Sequence, residues 1–258
     1  MDKEIDVLIQ ACRSAGAAIL KLQASGFSVA RKANKDLVTQ ADLLANEILK
    51  STLTEHFPTY GWLSEETVDD KDRLKCEYVW VVDPIDGTIE YTHGIPEYAI
   101  SVALVKNGTP VVGVVFNPAT DELFHAEKGK GAWLDDKKLI CDELPCNDFL
   151  LLASRSEYKR GEWDNVEVAH RVKVVGSIAY KLALVSAGYA HATFSLSPKN
   201  EWDIAAGTLL VLEAGGVVTD KHQKQFVFNQ ENVLVDSIVA SATNVSRDLF
   251  QLINEPRQ

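Results

Sequence analysis

A chain of 258 residues, 46% hydrophobic and 24% charged, has the make-up of an ordinary soluble globular protein and excludes a disordered one. Its 26 basic and 37 acidic residues give a net charge of −11, which disfavours a nucleic-acid polymer as partner. An anionic substrate would need a local positive feature, such as a metal ion or a helix N-terminus.

The first residues, Met1 to Asp6, have no basic n-region and lead into no unbroken apolar run, so no signal peptide is expected. No apolar stretch approaches the roughly 20 residues of a membrane span, so no membrane partner is expected either. A first helix is predicted from Ile5, Leu8, Ile9, Cys12, Ala15, Gly16, Ile19 and Leu22, spaced three and four apart and closed by Gly26. A second follows Leu37-Val38; its start, Thr39-Gln-Ala-Asp42, has the form of a capping box, and it stops before Pro58. Tyr78–Val82 reads as a buried strand. Tyr98–Val105, the turn Asn107-Gly108, Val111–Phe116, a second turn over 117–121 and Glu122–Ala126 predict an antiparallel meander.

The charged, turn-rich stretch Gly129–Pro145 marks a boundary between an N-terminal α+β half, 1–140, and a C-terminal α/β half, 141–258. In the second half, strands are predicted at Phe149–Ala153, Val172–Val175, Ala192–Leu196 and Val217–Thr219. Helices are predicted at Ser177–Ala187, at Trp202–Ala214 before Gly215-Gly216, and near Val245–Ile253. Cys12, Cys76, Cys141 and Cys146 lack metal-site or Cys-x-x-Cys spacing and read as free thiols of a cytoplasmic protein.

The densest chemical signal is Asp83-Pro-Ile-Asp86-Gly87-Thr88, at the end of the Tyr78–Val82 strand. Two carboxylates at i and i+3 across a proline can converge on one point, and a hard divalent cation such as Mg²⁺ takes such oxygen ligands. A helix opening at Gly87 and Thr88 would point free amides at an anion beside that cation. Taken singly, Asp86 is equally an N-cap, Asp42 an N3 capping acid, Asp203 a first-turn acid and Glu65-Glu66 a solvated pair.

Together these residues resemble the inositol monophosphatase superfamily of Mg²⁺-dependent, lithium-sensitive phosphatases. Its pattern is a distant Asp, then Glu-Glu, then Asp-Pro-(Ile/Leu)-Asp-Gly-Thr, then Trp-Asp followed by Gly-Gly. Here Asp42, Glu65-Glu66, Asp83–Thr88, Trp202-Asp203 and Gly215-Gly216 occur in that order over most of the chain. The resemblance implies an α/β (α+β) fold of layered α-β-α-β-α type, with an antiparallel-rich first sheet, a smaller mixed second sheet and the site between the halves. It implies two to three Mg²⁺ ions: one on Glu65, Asp83 and the Ile85 carbonyl, a second on Asp83, Asp86 and Asp203. Asp42 and Thr88 would orient the attacking water with no covalent intermediate, and the Gly87 and Thr88 amides would hold the phosphoryl group. Lithium would inhibit, and a homodimer is a common assembly in the family.

The resemblance leaves the small phosphate ester open. Inositol enzymes often carry a Glu seven residues before the Trp-Asp aspartate, where this chain has Leu196. Ser64 before the Glu pair and Glu201 before Trp202 look like bacterial 3′(2′),5′-bisphosphate nucleotidases. In Gly176-Ser177-Ile-Ala-Tyr-Lys181, those enzymes use a Ser and a Lys to hold a second phosphate. Thr92-His93-Gly94-Ile95-Pro96 looks more like an inositol monophosphatase, and His93 is a candidate for the site's mouth. The favoured expectation is 3′-phosphoadenosine 5′-phosphate, with myo-inositol 1-phosphate or a related sugar phosphate as the alternative. A haloacid-dehalogenase-type aspartyl-phosphate at Asp83 and a non-catalytic metal- or phosphate-binding regulator are minor alternatives.

Overall fold

Helix α1 (Asp2–Ser25) forms because Leu8, Ala11, Cys12, Ala15 and Ile19 repeat every three or four residues, and that stripe is buried. The computed structural model describes residues 2–31, 37–143, 149–164, 166 and 170–254. Cys146 and residues 144–145 of the expected boundary stretch lie outside them. An antiparallel pair, β1 (Val29–Arg31) and β2 (Leu37–Thr39), leads into α2 (Gln40–His56). The capping box expected there is present. Thr39 Oγ1 accepts the Ala41 amide at 3.0 Å, and Asp42 Oδ2 accepts the Thr39 amide at 2.7 Å.

A seven-stranded sheet follows in chain order: β3 (Gly61–Ser64), β4 (Tyr78–Asp86), β5 (Ala99–Lys106), β6 (Thr109–Asn117), β7 (Glu122–Glu127), β8 (Gly131–Leu134) and β9 (Lys137–Lys138). The β3–β4 pair is parallel and the other pairs are antiparallel. The meander runs further than its sequence suggests. β8 and β9 carry it to residue 138, because a short edge strand tolerates the charges and glycines that read as turns. Trp80, Val82, Ile100, Val102 and Leu104 join the core under α1 and α2; Val79, Val81, Ala103 and Val105 join the core on the other face. Both faces are covered, so the strands read as apolar runs rather than as clean alternation.

A short helix, α3 (Thr88–Thr92), leaves the end of β4. The second half runs β10 (Leu150–Ser154), α4 (Arg155–Lys159), β11 (Arg171–Val175), α5 (Ile178–Ser186), β12 (Ala192–Ser195), β13 (Lys199–Asn200) and α6 (Glu201–Glu213). It ends with β14 (Val217–Thr219), β15 (Leu234–Val235), β16 (Ile238–Ser241) and α7 (Ser246–Asn254). The second sheet has the order β11-β10-β12-β16-β14 and is mixed, with parallel pairs at β10 and antiparallel pairs at β16. Helices α5 and α6 pack between the two sheets, completing the layered α-β-α-β-α arrangement. Gly113 in β6 permits the close approach of α6, since a Cβ there would lie 3.3 Å from the Ala206 backbone. Val81, Val115, Leu151, Leu182, Leu209 and Val239 share one apolar cluster, so the two halves have a common core. No helix among the described residues is long and apolar enough to cross a membrane, and Cys12, Cys76 and Cys141 are free thiols.

Candidate active site

The end of β4 builds the centre. Its register against β5 shifts between Asp83 and Asp86, and this bulge re-aims the strand's last side chains. Asp83 is buried and its Oδ1 accepts the Ile85 amide at 3.0 Å. Gly87, at φ 97°, turns the chain into α3; a Cβ there would be strained and would meet the Glu97 carbonyl oxygen at 3.1 Å. Glu65 follows β3, which pairs in parallel with β4. Asp203 lies in the first turn of α6, where its Oδ2 accepts the Asn200 amide at 2.9 Å in a second capping box. Carboxylate oxygens of Glu65, Asp83 and Asp203 all lie within 4.8 Å of one another.

Asp86 stands beside this triad. Its Oδ2 accepts Ser177 Oγ at 2.6 Å and the Ala179 amide at 2.6 Å. On the other side, Thr88 Oγ1 bridges the Asp42 Oδ1 at 3.0 Å and the Ile85 carbonyl at 3.2 Å. Asp42 is itself fixed by Thr39, whose hydroxyl donates to Asp42 Oδ2 at 2.6 Å. A capping acid of α2 is thereby aimed at the motif threonine 46 residues away.

Burial, then the charges of Glu65, Asp86, Asp203 and Asp42, push the Asp83 carboxyl well above the usual carboxylate range. Burial and then Asp86 do the same to Asp203, against the Asn200 amide and Lys199. Asp86 and Asp42 are also raised, in both cases mainly by burial. An all-oxygen cluster of mutually repelling carboxylates, with Asp83 buried and Glu65 and Asp203 half-buried, is a donor set suited to hard divalent cations. The residues present therefore fit the metal that the motif implies.

These groups open onto a cleft of about 530 Å³. It brings together Glu65, Asp83, Ile85, Asp86, Gly87, Thr88 and Asp203 with Gly176, Ser177 and Lys181 from across the halves, while Asp42 lies behind Thr88. The Gly176 amide donates to Glu97 Oε2 at 2.9 Å. Lys181 is only 2% exposed; burial pushes its ammonium down to about 8, opposed by Asp86 and Glu157. His93 is exposed outside the cleft lining, with Nδ1 2.7 Å from the Ile89 carbonyl oxygen. Leu196 packs against the core and does not line the cleft. Ser64 orients β3 by donating to Asn46 Oδ1 at 2.7 Å, and Glu201 clamps a loop by accepting the amides of Asn229 and Gln230.

Three cleft cations escape the sequence reading: Arg155, Lys159 and Lys199. Arg155 pairs with Glu90 at 3.2 Å and also with Glu97; Lys199 donates to Ser195 Oγ at 2.7 Å and reaches Glu157 Oε1 at 3.4 Å. The available signals were the basic residues after the Phe149–Ala153 strand and a lysine shortly before Trp202-Asp203.

Comparison with known proteins points to one family. The model of the inositol monophosphatase family matches residues 1–255. An inositol-1-monophosphatase of Mesorhizobium japonicum is 34% identical over 265 residues, covering 98% of this chain and 96% of that protein. The structure of a Thermotoga maritima IMPase superposes with a TM-score of 0.87 at 28% identity, over 99% of this chain and 98% of that one. CysQ of Bacteroides thetaiotaomicron, a bacterial member of the inositol monophosphatase family, superposes with a TM-score of 0.78 at 28% identity, over 93% and 97%.

Proposed function

The chain belongs to the inositol monophosphatase family and is a phosphoric monoester hydrolase, and on that premise we propose that it is a Mg²⁺-dependent phosphatase of 3′-phosphoadenosine 5′-phosphate. The observation that carries the substrate is the charge layout of the cleft. The acidic cluster and four cations, Arg155, Lys159, Lys181 and Lys199, line the same cleft. A substrate with two phosphates suits that lining, one phosphate at the acidic cluster with its cations and the other at the basic side chains. The remaining cleft carboxylates are already engaged, Glu90 by Arg155 and Glu157 by Ser195 and Lys199. The side chain at position 196 offers no acceptor for a ring hydroxyl. The second reading, myo-inositol 1-phosphate, is favoured by the name of the Mesorhizobium relative.

Glu65, Asp83 and Asp203 would hold Mg²⁺, with Asp86 and the Ile85 carbonyl as the further ligands that the resemblance implies, and the bound ion would supply Lewis-acid stabilisation of charge on the phosphoryl and leaving oxygens. Thr88 Oγ1 orients the attacking water and relays its proton toward Asp42, whose burial-raised affinity for protons suits a base. First-turn amides at Gly87 and Thr88 orient the phosphoryl oxygens. Lys181 and Lys199 orient the far phosphate. The same reading makes lithium an inhibitor, the setting cytoplasmic and the assembly a homodimer, with a small phosphate ester as partner rather than a nucleic-acid polymer or a membrane.

Lys181→Met tests the substrate assignment. It is expected to lower kcat/KM for 3′-phosphoadenosine 5′-phosphate by roughly 10–100-fold, the value of a lost charge-assisted contact of about 1.5–3 kcal/mol. Hydrolysis of myo-inositol 1-phosphate should change little. Equal losses on both substrates would contradict a second-phosphate role.

A further inference from the structure

Ser177 has a hydroxyl with one proton, and the structure shows where it goes. Its Oγ donates to Asp86 Oδ2 at 2.6 Å and accepts the Tyr180 amide at 2.9 Å. The Ala179 amide donates to the same Asp86 oxygen at 2.6 Å. Asp86 thus receives two donors from the N-terminal end of α5 on one oxygen, leaving Oδ1 as the oxygen that can turn toward Asp83 and Asp203. Ser177 takes up a φ of 55°, a value that a residue with a Cβ rarely adopts, and it makes these contacts there.

We infer that Ser177 is a positioning residue for Asp86: it fixes which carboxylate oxygen is available to a divalent cation and ties that choice to α5. It is therefore not a ligand of the substrate's second phosphate, the role that the family resemblance implies for it. Donors behind a metal-binding carboxylate set its orientation, and their loss commonly weakens metal binding about 10–100-fold. Lys181 lies one turn along the same helix and is 2% exposed in the cleft wall. Filling the cation site at Asp86 and presenting a cation to the far phosphate thus share one rigid element. The inference rests on the cation reading of the acidic cluster, but not on which phosphate ester is the substrate.

The test is Ser177→Gly. Glycine adopts this φ without strain, so the variant removes the hydroxyl without a new backbone penalty, and its thermal melt reports whether it folds. Mn²⁺ and Mg²⁺ binding are titrated calorimetrically on the full chain without substrate, and KM is measured separately at saturating Mg²⁺. We expect at least one cation step to weaken by about 10-fold or more, activity to recover at high Mg²⁺, and KM at saturating Mg²⁺ to stay within about twofold. Ser177→Thr, which keeps the hydroxyl, should recover part of the cation affinity. Unchanged cation affinity with a raised KM would overturn the inference and return Ser177 to the substrate. Unchanged affinity and unchanged KM would overturn it equally. If the unsubstituted protein binds neither cation, the metal reading falls and this inference falls with it, an outcome distinct from failure in the variant alone.

Discussion

Asp83→Asn is expected to lower turnover by about 10³-fold or more while leaving the fold intact and raising the melting temperature of the metal-free protein. Asp83 is the buried member of the triad, and every charged neighbour named for it is another carboxylate. Asparagine keeps the side-chain oxygen that accepts the Ile85 amide but removes the charge that would hold a divalent cation. Losing several kcal/mol of Lewis-acid stabilisation corresponds to roughly three orders of magnitude in rate. The same change relieves like-charge repulsion and the burial of an anion, so without metal the variant should melt higher than the unsubstituted chain. Phosphate release and a thermal melt in EDTA check both halves. Activity retained within tenfold would contradict the metal role, and a lower melt would contradict the repulsion.

The second large effect is a dependence of stability on pH that Mg²⁺ reverses. Asp42, Asp83, Asp86 and Asp203 all have folded-state carboxyls raised above their ordinary value, mainly by burial. Stability from such a group is fully present below the unfolded value of about 4 and is lost as pH rises through the folded value. In EDTA the protein should therefore lose melting temperature between pH 5 and pH 8. Asp69, held down at about 2 by Arg73, has the opposite sign, but its contribution changes below pH 4 and leaves this window untouched. Divalent cations bind the ionised cluster, so millimolar Mg²⁺ should stabilise more at pH 8 than at pH 5. Melts at the two pH values, with EDTA and with Mg²⁺, decide the matter. A melting temperature that rises with pH in EDTA, with no larger Mg²⁺ effect at pH 8, would show that the cluster does not govern the profile.

The residues of the acidic cluster were legible because each belongs to a local motif. Thr39 and Asp42 read as a cap, and the fold uses that cap to aim Asp42 at Thr88. Asp83–Thr88 read as a strand end with two carboxylates, and the bulge after Asp83 does the aiming. The basic side chains were less legible. Arg155 and Lys159 lie on α4 and Lys199 on β13, and only the folding of the second half brings them to one cleft. The short strands β1, β2, β3, β8, β9, β13, β15 and β16 went unread because each has two to four residues and takes its stability from neighbouring strands. Ser177 shows a further limit: its backbone angle and its Asp86 contact come from the turn between β11 and α5, which no spacing rule describes.

The central claim is that the acidic cluster and the basic side chains of the cleft together select an ester with two phosphates. Its most direct test is phosphate release with Mg²⁺ from 3′-phosphoadenosine 5′-phosphate and from myo-inositol 1-phosphate in parallel, with EDTA controls. The account predicts Mg²⁺-dependent release with a large preference in kcat/KM for the nucleotide. A preference for myo-inositol 1-phosphate would contradict it, and would mean that the basic side chains of the cleft serve the fold rather than the substrate.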